Sequence, residues 1–114
     1  MPHFIIECSA NITLQKKPEE INTLVHQLAL ASNLFAEKDI KVRIKSYDNY
    51  LVGGEKQDFI HIFGNIMEGR TSEQKDKLSR SIIAELKLNF PDTPIISINI
   101  RDFEKAGYCN KTMI

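Results

Sequence analysis

The sequence has no excess charge of either sign, no long apolar run and almost no cysteine. Its 114 residues carry 15 lysines and arginines against 15 aspartates and glutamates, so the formal net charge is zero. Nucleic acids and anionic membranes are usually bound through a basic excess, which makes them poor candidates for the main partner. A local positive patch on a neutral protein is still compatible with a small anionic substrate.

The absence of long apolar runs excludes an evident membrane span, and the start of the sequence lacks the basic and apolar regions of a signal peptide. Two cysteines, Cys8 and Cys109, lie near opposite ends of the chain, and neither belongs to a CxxC or Cys/His pattern. These absences predict two reduced thiols in a cytoplasmic protein, with no bound metal and no membrane contact.

The hydrophobic patterning predicts a single domain, residues 1–114, of the α+β class. Alternating or β-rich apolar stretches predict strands, and apolar residues at helical spacing predict helices with one buried face. Pro18 fits the first turn of a helix, while Thr71 and Gln74 have the spacing of a capping box. The predicted elements are a strand at 4–8, a helix at 18–33, strands at 41–47 and 59–66, a helix from the capping box to about 89, and a strand at 95–100. Residues 9–17 are expected to be a polar connection, and the C-terminal tail a loop or a short pairing element.

The strand-helix-strand order occurs twice, which indicates an internal repeat of about 2–57 and 58–114. Right-handed crossovers make the two strands of each unit parallel, so two adjacent units form a four-stranded mixed sheet with both helices on one face. The other face carries apolar residues such as Phe59 and Phe63, and nothing in the chain covers it. An oligomer that buries this face is therefore expected.

Pro2 is the first candidate for chemistry. Removal of Met1 before a small residue leaves proline with a free secondary amine at the start of the chain. Burial and nearby cations disfavour the charged form of an amine, and a neutral amine is a good proton acceptor. Proline is also simply permitted at this position, so Pro2 alone does not establish such a role.

Three cations are candidates for binding carboxylates. Arg70 lies between a predicted strand and a capped helix, and a guanidinium can hold a carboxylate through two parallel hydrogen bonds. Arg43 shares one strand face with Lys41 and Lys45, where it can bind a second carboxylate. An exposed arginine in a turn and a solvated strand face are the ordinary alternatives, and Lys45 is assigned to the latter.

The remaining titratable side chains are interpreted as structural. His3, His26 and His61 do not form a set of metal ligands, because His26 lies alone in a predicted helix and His61 alone in a predicted strand. Cys8 is expected to be a core thiol, since no neighbouring feature stabilises its thiolate.

Residues 2–9 read Pro-His-Phe-Ile-Ile-Glu-Cys-Ser, and Asn11-Ile12 follow closely. This start resembles that of 5-carboxymethyl-2-hydroxymuconate isomerases of the tautomerase superfamily. The resemblance covers most of the chain, weakens after about Pro91, and continues through Val42-Arg43, 59–61 and Gly69-Arg70. Residues 68–75, Glu-Gly-Arg-Thr-Ser-Glu-Gln-Lys, are also similar to the opening of 4-oxalocrotonate tautomerase, which fits two fused copies of one short β-α-β unit.

The resemblance implies a tautomerase-like (MIF-like) fold, a homotrimer with its sites near subunit boundaries, and no metal or organic cofactor. The implied reaction moves a proton within an unsaturated 2-hydroxy or 2-oxo di- or tricarboxylic acid, through a dienol, in the catabolism of aromatic compounds. Pro2 takes and returns the proton, and Arg70 holds one carboxylate. Arg43 holds the other end or polarises the oxygen at carbon 2.

The sequence also departs from the family pattern, which has an arginine where Lys41 stands. Lysine pairs with a carboxylate but lacks the planar fork of arginine, so Lys41 and Arg43 both stay candidates for the second contact. In the second repeat, Asn99 stands in the place of Arg43, and Asp58, inside the chain, in that of Pro2, so one site per chain is expected. Alternatives on the same fold are a vestigial, non-enzymatic trimer, or hydration, decarboxylation or dehalogenation with Pro2 as acid or base.

Overall fold

A computed structural model describes the whole chain, residues 1–114. It contains four strands and three α-helices, joined by loops and short 3₁₀ turns. In chain order these are β1 (His3–Ser9), α1 (Ala10–Gln15), α2 (Pro18–Ala31), β2 (Lys41–Tyr47), β3 (Phe59–Met67), α3 (Ser72–Asn89) and β4 (Ile95–Phe103). The 3₁₀ turns are Glu37–Asp39, Lys105–Gly107 and Lys111–Met113. The order of the strands and the two long helices confirms the predicted α+β architecture.

The four strands form one mixed sheet in the order β2-β1-β3-β4. β2 runs parallel to β1, and β4 runs parallel to β3, as β-α-β crossovers produce. β1 and β3 are antiparallel neighbours at the centre, with Phe4 opposite Gly64 and Ile6 opposite Ile62. The first strand of each unit is therefore internal, and the second strand of each unit lies at an edge.

α2 and α3 pack on one face of the sheet, which confirms the predicted layering. Alternate strand residues point toward the helices, and each helix contributes one buried residue per turn. The buried side chains are Phe4, Ile6 and Cys8 from β1, Ile60 and Ile62 from β3, Ile21, Val25 and Ala29 from α2, and Leu78, Ile82 and Leu86 from α3. Each large aliphatic or aromatic side chain in this layer stabilises the fold by about 1.5–3 kcal/mol relative to an exposed position.

The ends of the two long helices follow from local chemistry. The predicted capping box of α3 is present, because the Gln74 N–H donates to Thr71 Oγ1 at 3.1 Å and the Thr71 N–H donates to Gln74 Oε1 at 2.9 Å. α2 begins at Pro18 as predicted, but it ends at Ala31, two residues earlier than expected. Asn33 has a φ of 61°, a left-handed conformation that ends helices.

Two segments predicted as connections contain short helical pieces. Residues 9–17 include α1, whose single buried residue is Ile12. A six-residue helix with one apolar anchor has no periodicity to detect. The tail from Asp102 begins with two residues paired with β3, as the pairing alternative expected, and continues through two 3₁₀ turns that the sequence did not predict. The backbone N–H of Lys105 donates to the Glu68 carboxylate at 2.7 Å. β4 also extends beyond its predicted end, to Phe103, because it stays paired with β3.

The face of the sheet that points away from the helices is open and chemically mixed. Phe63 is 37% exposed on this face. Tyr47 Oη donates to Glu7 Oε2 at 3.0 Å, and His61 Nδ1 lies 2.7 Å from Ser97 Oγ. All four strands therefore present polar side chains here beside the apolar ones.

Asp58 joins the end of β1 to the start of β3. Its carboxylate accepts hydrogen bonds from Ser9 Oγ at 2.9 Å and from Asn11 Nδ2 at 2.8 Å. Ser9 Oγ in turn accepts the Phe59 N–H at 3.2 Å. Ser9 is fully buried, so this network satisfies a hydroxyl whose burial would otherwise be unfavourable.

Asn99, expected at the place of Arg43 in the second unit, lies on the open face of β4 and pairs with Phe63 of β3, as Arg43 pairs with Ile5 of β1. Asparagine carries no charge, so the second unit has no cation at that position.

A side chain at Gly64 would displace its neighbours. A Cβ at this position lies 2.6 Å from Ile100 Cδ1 and 3.3 Å from the Phe4 ring. We expect Gly64→Ala to lower the free energy of unfolding by about 1–3 kcal/mol, because the extra methyl group overpacks the core. Gly107→Ala is the control, since a Cβ there has no atom within 4 Å. Urea denaturation at equal protein concentration measures both, and unchanged stability of Gly64→Ala contradicts this packing.

Candidate active site

Three of the predicted site residues meet at one end of the sheet. Pro2 precedes β1, Lys41 opens β2, and Arg70 follows β3. Because β1 is parallel to β2 and antiparallel to β3, the starts of β1 and β2 and the end of β3 share this end. Arg70 and Lys41 lie near enough to the amino terminus to lower the pKa of the Met1 amine.

Pro2 is buried, and its carbonyl accepts a hydrogen bond from the Lys41 backbone N–H at 3.1 Å. This bond extends the pairing of β1 with β2 and fixes how the chain enters the sheet. With Met1 attached, the Pro2 nitrogen belongs to a peptide bond and has no basic lone pair. Removal of Met1 converts the same atom into a secondary amine.

The amino terminus lies among three charged side chains. Burial lowers the pKa of the Met1 amine below its ordinary value of 8.0. The Asp39 carboxylate opposes this by raising the pKa, whereas Arg70 and Lys41 lower it further. Burial and these charges together lower the pKa of the Met1 amine, and the neighbouring Pro2 lies beside the same three side chains.

The Lys41 side chain extends toward the amino terminus. Its Nζ donates to the Asp39 carbonyl at 2.9 Å and lies 3.8 Å from Met1 Sδ. Asp39 belongs to the 3₁₀ turn that precedes β2, so this turn orients the ammonium. The Lys41 ammonium therefore contacts the side chain of the residue whose removal would free the Pro2 nitrogen.

Arg70 is held by two backbone carbonyls and one aromatic ring. Its Nη1 donates to the Met67 carbonyl at 3.2 Å, and its Nη2 donates to the Leu34 carbonyl at 2.6 Å. The guanidinium carbon lies 5.0 Å from the centre of the Phe35 ring. A guanidinium has five N–H donors, so three remain for a carboxylate. Gly69, with a φ of 123°, turns the chain out of β3 in a conformation suited to glycine.

Arg43 lies on the open face and contacts His3. Its Nη1 lies 3.2 Å from His3 Nδ1. Burial lowers the pKa of His3, and Arg43 and Lys41 lower it further, which favours the neutral imidazole over the imidazolium. Lys45, two residues further along β2, has its Nζ 5.2 Å from the centre of the Tyr47 ring, away from the terminus.

Several residues around the terminus were not predicted as site residues. His3, predicted to be structural, joins Arg43 to the amino terminus. Asp39, Leu34 and Phe35 come from the connection between α2 and β2, which contains no motif. Leu34 contributes its backbone carbonyl, which any residue type supplies, so no sequence signal could identify it.

The remaining groups with potential chemistry are not assembled into a site. Cys8 is fully buried, and burial raises the pKa of its thiol to about 11, as expected of a core cysteine. Cys109 is free and exposed. No group of three histidine, cysteine or acidic side chains is arranged to hold a metal ion. None of the helices combines the length and the apolar character needed to cross a bilayer.

Known proteins resemble the chain in both sequence and fold. The family model described as 5-carboxymethyl-2-hydroxymuconate isomerase matches residues 2–114. A 5-carboxymethyl-2-hydroxymuconate Delta-isomerase from Escherichia coli is 26% identical over 92 residues, which cover 79% of this chain and 73% of that protein. The crystal structure of a 5-carboxymethyl-2-hydroxymuconate isomerase from Deinococcus radiodurans matches with a TM-score of 0.84 at 24% identity, covering 96% of this chain and 88% of that one. A macrophage migration inhibitory factor-like protein from Entamoeba histolytica shares the fold, with a TM-score of 0.75 at 17% identity and coverage of 96% and 95%.

The contact between His3 and Arg43 can be tested by titration. We expect the pKa of the His3 imidazole to lie below 6.5 and to rise in Arg43→Met, because a cation that disfavours the imidazolium is removed. Lys45→Met, on the same strand face, is the control and should leave this pKa unchanged. Titration of the His3 ring protons by NMR measures this pKa in the wild type and in both variants. A pKa at or above 6.5 in the wild type, or no rise in Arg43→Met, contradicts the contact.

Proposed function

The chain belongs to the 5-carboxymethyl-2-hydroxymuconate isomerase family, and we propose that it isomerises an unsaturated 2-hydroxy or 2-oxo di- or tricarboxylic acid of the 5-carboxymethyl-2-hydroxymuconate type. It is a tautomerase-type isomerase. The observation that carries the substrate class is the position of Arg70 and Lys41 beside the amino terminus. Two cations around a neutral amine suit a substrate that brings a carboxylate and develops a second negative charge during the reaction.

Pro2, freed by removal of Met1, is the proposed general base. Its buried position and the cations Arg70 and Lys41 favour the neutral amine, which has a lone pair available for a proton. A base whose pKa lies near the working pH transfers protons efficiently. The hydrogen bond from the Lys41 backbone to the Pro2 carbonyl holds the ring in place for this transfer.

The proposed reaction moves one proton and requires no oxidant or reductant. The Pro2 nitrogen takes the proton of the 2-hydroxyl group of a dienol, which leaves a dienolate with its charge shared between the oxygen and the conjugated carbons. The protonated amine then delivers that proton to a carbon of the conjugated chain. This step forms the 2-oxo product and regenerates the amine, so the proposed mechanism includes neither a metal nor an organic cofactor.

The three cations have separate proposed roles. Arg70 anchors one carboxylate, because three of its N–H donors are free and its position is held by the protein. Lys41 stabilises the charge that develops at the oxygen on carbon 2, since its ammonium contacts Met1, whose removal frees the Pro2 nitrogen. Arg43, two residues further along β2, contacts the second carboxylate.

The proposed enzyme works as a homotrimer in the cytoplasm, in the catabolism of aromatic compounds. Its proposed partner is a small anionic carboxylate, with no role for nucleic acid or membrane. The open face of the sheet supports the assembly, because it exposes Phe63 and Ile95 and has helices only on its opposite side. In such a trimer the sites lie near subunit boundaries, where a neighbouring copy encloses the space around Pro2.

Ketonisation of a 2-hydroxymuconate-type dienol, followed by ultraviolet absorbance, tests the proposal once intact mass has established that Met1 is absent. We expect Arg70→Ala to lower kcat/KM about 10- to 100-fold, because charge-assisted hydrogen bonds to a carboxylate are lost. We expect Pro2→Ala to lower kcat about tenfold or more without abolishing it, since alanine still supplies a primary amine.

Arg80→Ala is the matched control for Arg70→Ala, because Arg80 is an exposed arginine of α3 that pairs only with the nearby Asp76. It should retain the wild-type rate. Wild-type rates in Pro2→Ala or Arg70→Ala remove that residue from its proposed role, and an active protein that retains Met1 removes Pro2 as the base. A protein without Met1 that shows no rate above buffer on several such acids rejects the substrate class.

The dependence of kcat/KM on pH tests the charges around Pro2. Activity requires the neutral amine, so it falls as the pH drops through the pKa of that amine. We expect this midpoint to lie below pH ~8, the upper end for an ordinary α-amine. Lys41→Met should move the midpoint to higher pH and Asp39→Asn to lower pH, while Lys45→Met leaves it unchanged. Midpoint shifts in the opposite directions contradict the proposed effects of Lys41 and Asp39 on the pKa of the Pro2 amine.

A further inference from the structure

We propose that Phe35 is a positioning residue for Arg70, which holds the guanidinium in the orientation that receives a substrate carboxylate. This inference rests on the proposed role of Arg70 as the carboxylate anchor. Phe35 acts through Arg70, by contact of its ring with the guanidinium at 5.0 Å, and need not touch the substrate itself.

One turn holds the guanidinium from two directions. The Leu34 carbonyl accepts a hydrogen bond from Arg70 Nη2 at 2.6 Å, and the next residue, Phe35, places its ring against the same group. The carbonyl accepts from one guanidinium nitrogen, whereas the aromatic ring lies against the guanidinium carbon. Together the two contacts restrict the movement of the Arg70 side chain.

The turn that carries these contacts is itself well defined. Ser32 Oγ donates to the Ala29 carbonyl at the end of α2 and lies 3.3 Å from the Leu34 N–H, which it accepts. Asn33 has a φ of 61°, which reverses the chain direction, and asparagine tolerates this conformation better than most residues. The directions of the Leu34 carbonyl and the Phe35 ring are therefore set locally.

Phe35 also connects Arg70 with β1, the strand that follows Pro2. The Phe4 ring lies 6.2 Å from the Phe35 ring at an interplanar angle of 74°, an edge-to-face contact. Phe4 is fully buried in β1, two residues after Pro2. The position of the Phe35 ring thus helps to determine the distance between the proposed base and the proposed anchor.

A purely structural role for Phe35 makes a different prediction. The ring is partly buried against the main core, so its loss lowers stability whether or not it orients Arg70. A test therefore needs a measurement that depends on Arg70, namely the affinity for a carboxylate ligand. cis,cis-Muconate is a suitable probe, because it is an unsaturated dicarboxylate that lacks a 2-hydroxyl group and cannot be ketonised.

The experiment compares Phe35→Leu, which removes the aromatic face, with Phe35→Tyr, which retains it. Calorimetric titration with cis,cis-muconate should show Kd raised about three- to tenfold in Phe35→Leu and within about twofold of wild type in Phe35→Tyr. KM for the dienol should rise with Kd while kcat changes less. In the Arg70→Ala background, Phe35→Leu should have no further effect, because the group through which it acts is absent.

Phe90→Leu is the control for packing, since it makes the same exchange at a fully buried phenylalanine just after α3. Phe90→Leu should lower the urea concentration at the midpoint of unfolding and leave the Kd for cis,cis-muconate unchanged. If Phe35→Leu does not fold, Phe35→Met carries the same expectation, because methionine fills space without an aromatic face.

The outcomes separate this inference from the proposed function. If Arg70→Ala weakens binding and Phe35→Leu does not, the inference is wrong and the role of Arg70 stands. If Phe35→Leu weakens binding equally with and without Arg70, the ring shapes the site directly and the inference is again wrong. If Arg70→Ala leaves Kd unchanged, Arg70 is not the anchor, and both proposals fall.

Discussion

The antiparallel pairing of β1 with β3 is the constraint on which the site depends. It places the start of the chain against the end of the third strand, so Pro2 and Arg70 become neighbours although they are far apart in sequence. The pairing requires Phe4 to lie opposite Gly64, where a missing side chain leaves room for the aromatic ring. The residues of the candidate site thus come from both β-α-β units, and neither unit contains all of them.

The charges at this end of the sheet oppose one another. Arg70 and Lys41 make the amine easier to deprotonate and attract an anionic ligand, while Asp39 favours the ammonium. Asp39 also supplies the carbonyl that holds the Lys41 ammonium. Asp39 therefore orients the Lys41 ammonium through its backbone carbonyl. Through its carboxylate it opposes the lowering of the amine pKa by Lys41. The Asp39 carboxylate therefore offsets part of the positive charge that Arg70 and Lys41 place around the amino terminus.

Strands and helices with periodic apolar residues or a capping motif can be predicted from the sequence. Elements that are held by a single tertiary contact cannot. The alternation of β2 predicts its observed bounds, and the capping box predicts the start of α3. α1 depends on Ile12 alone and has no period. Among the proposed site residues, Pro2 and Arg70 are predicted from their positions in the sequence and from the resemblance to a family. Phe35 is not, because its contact joins two segments that only the folded chain brings together.

The Asp58 network makes the two ends of the sheet chemically different. Asp58 lies inside the chain, just before β3, so that position has no free amine. Its carboxylate instead accepts hydrogen bonds from Ser9 and Asn11, and the buried Ser9 hydroxyl accepts the Phe59 N–H. This network lies at the end of the sheet opposite Pro2 and Arg70, so it joins the end of β1 to the start of β3 without contacting the candidate site.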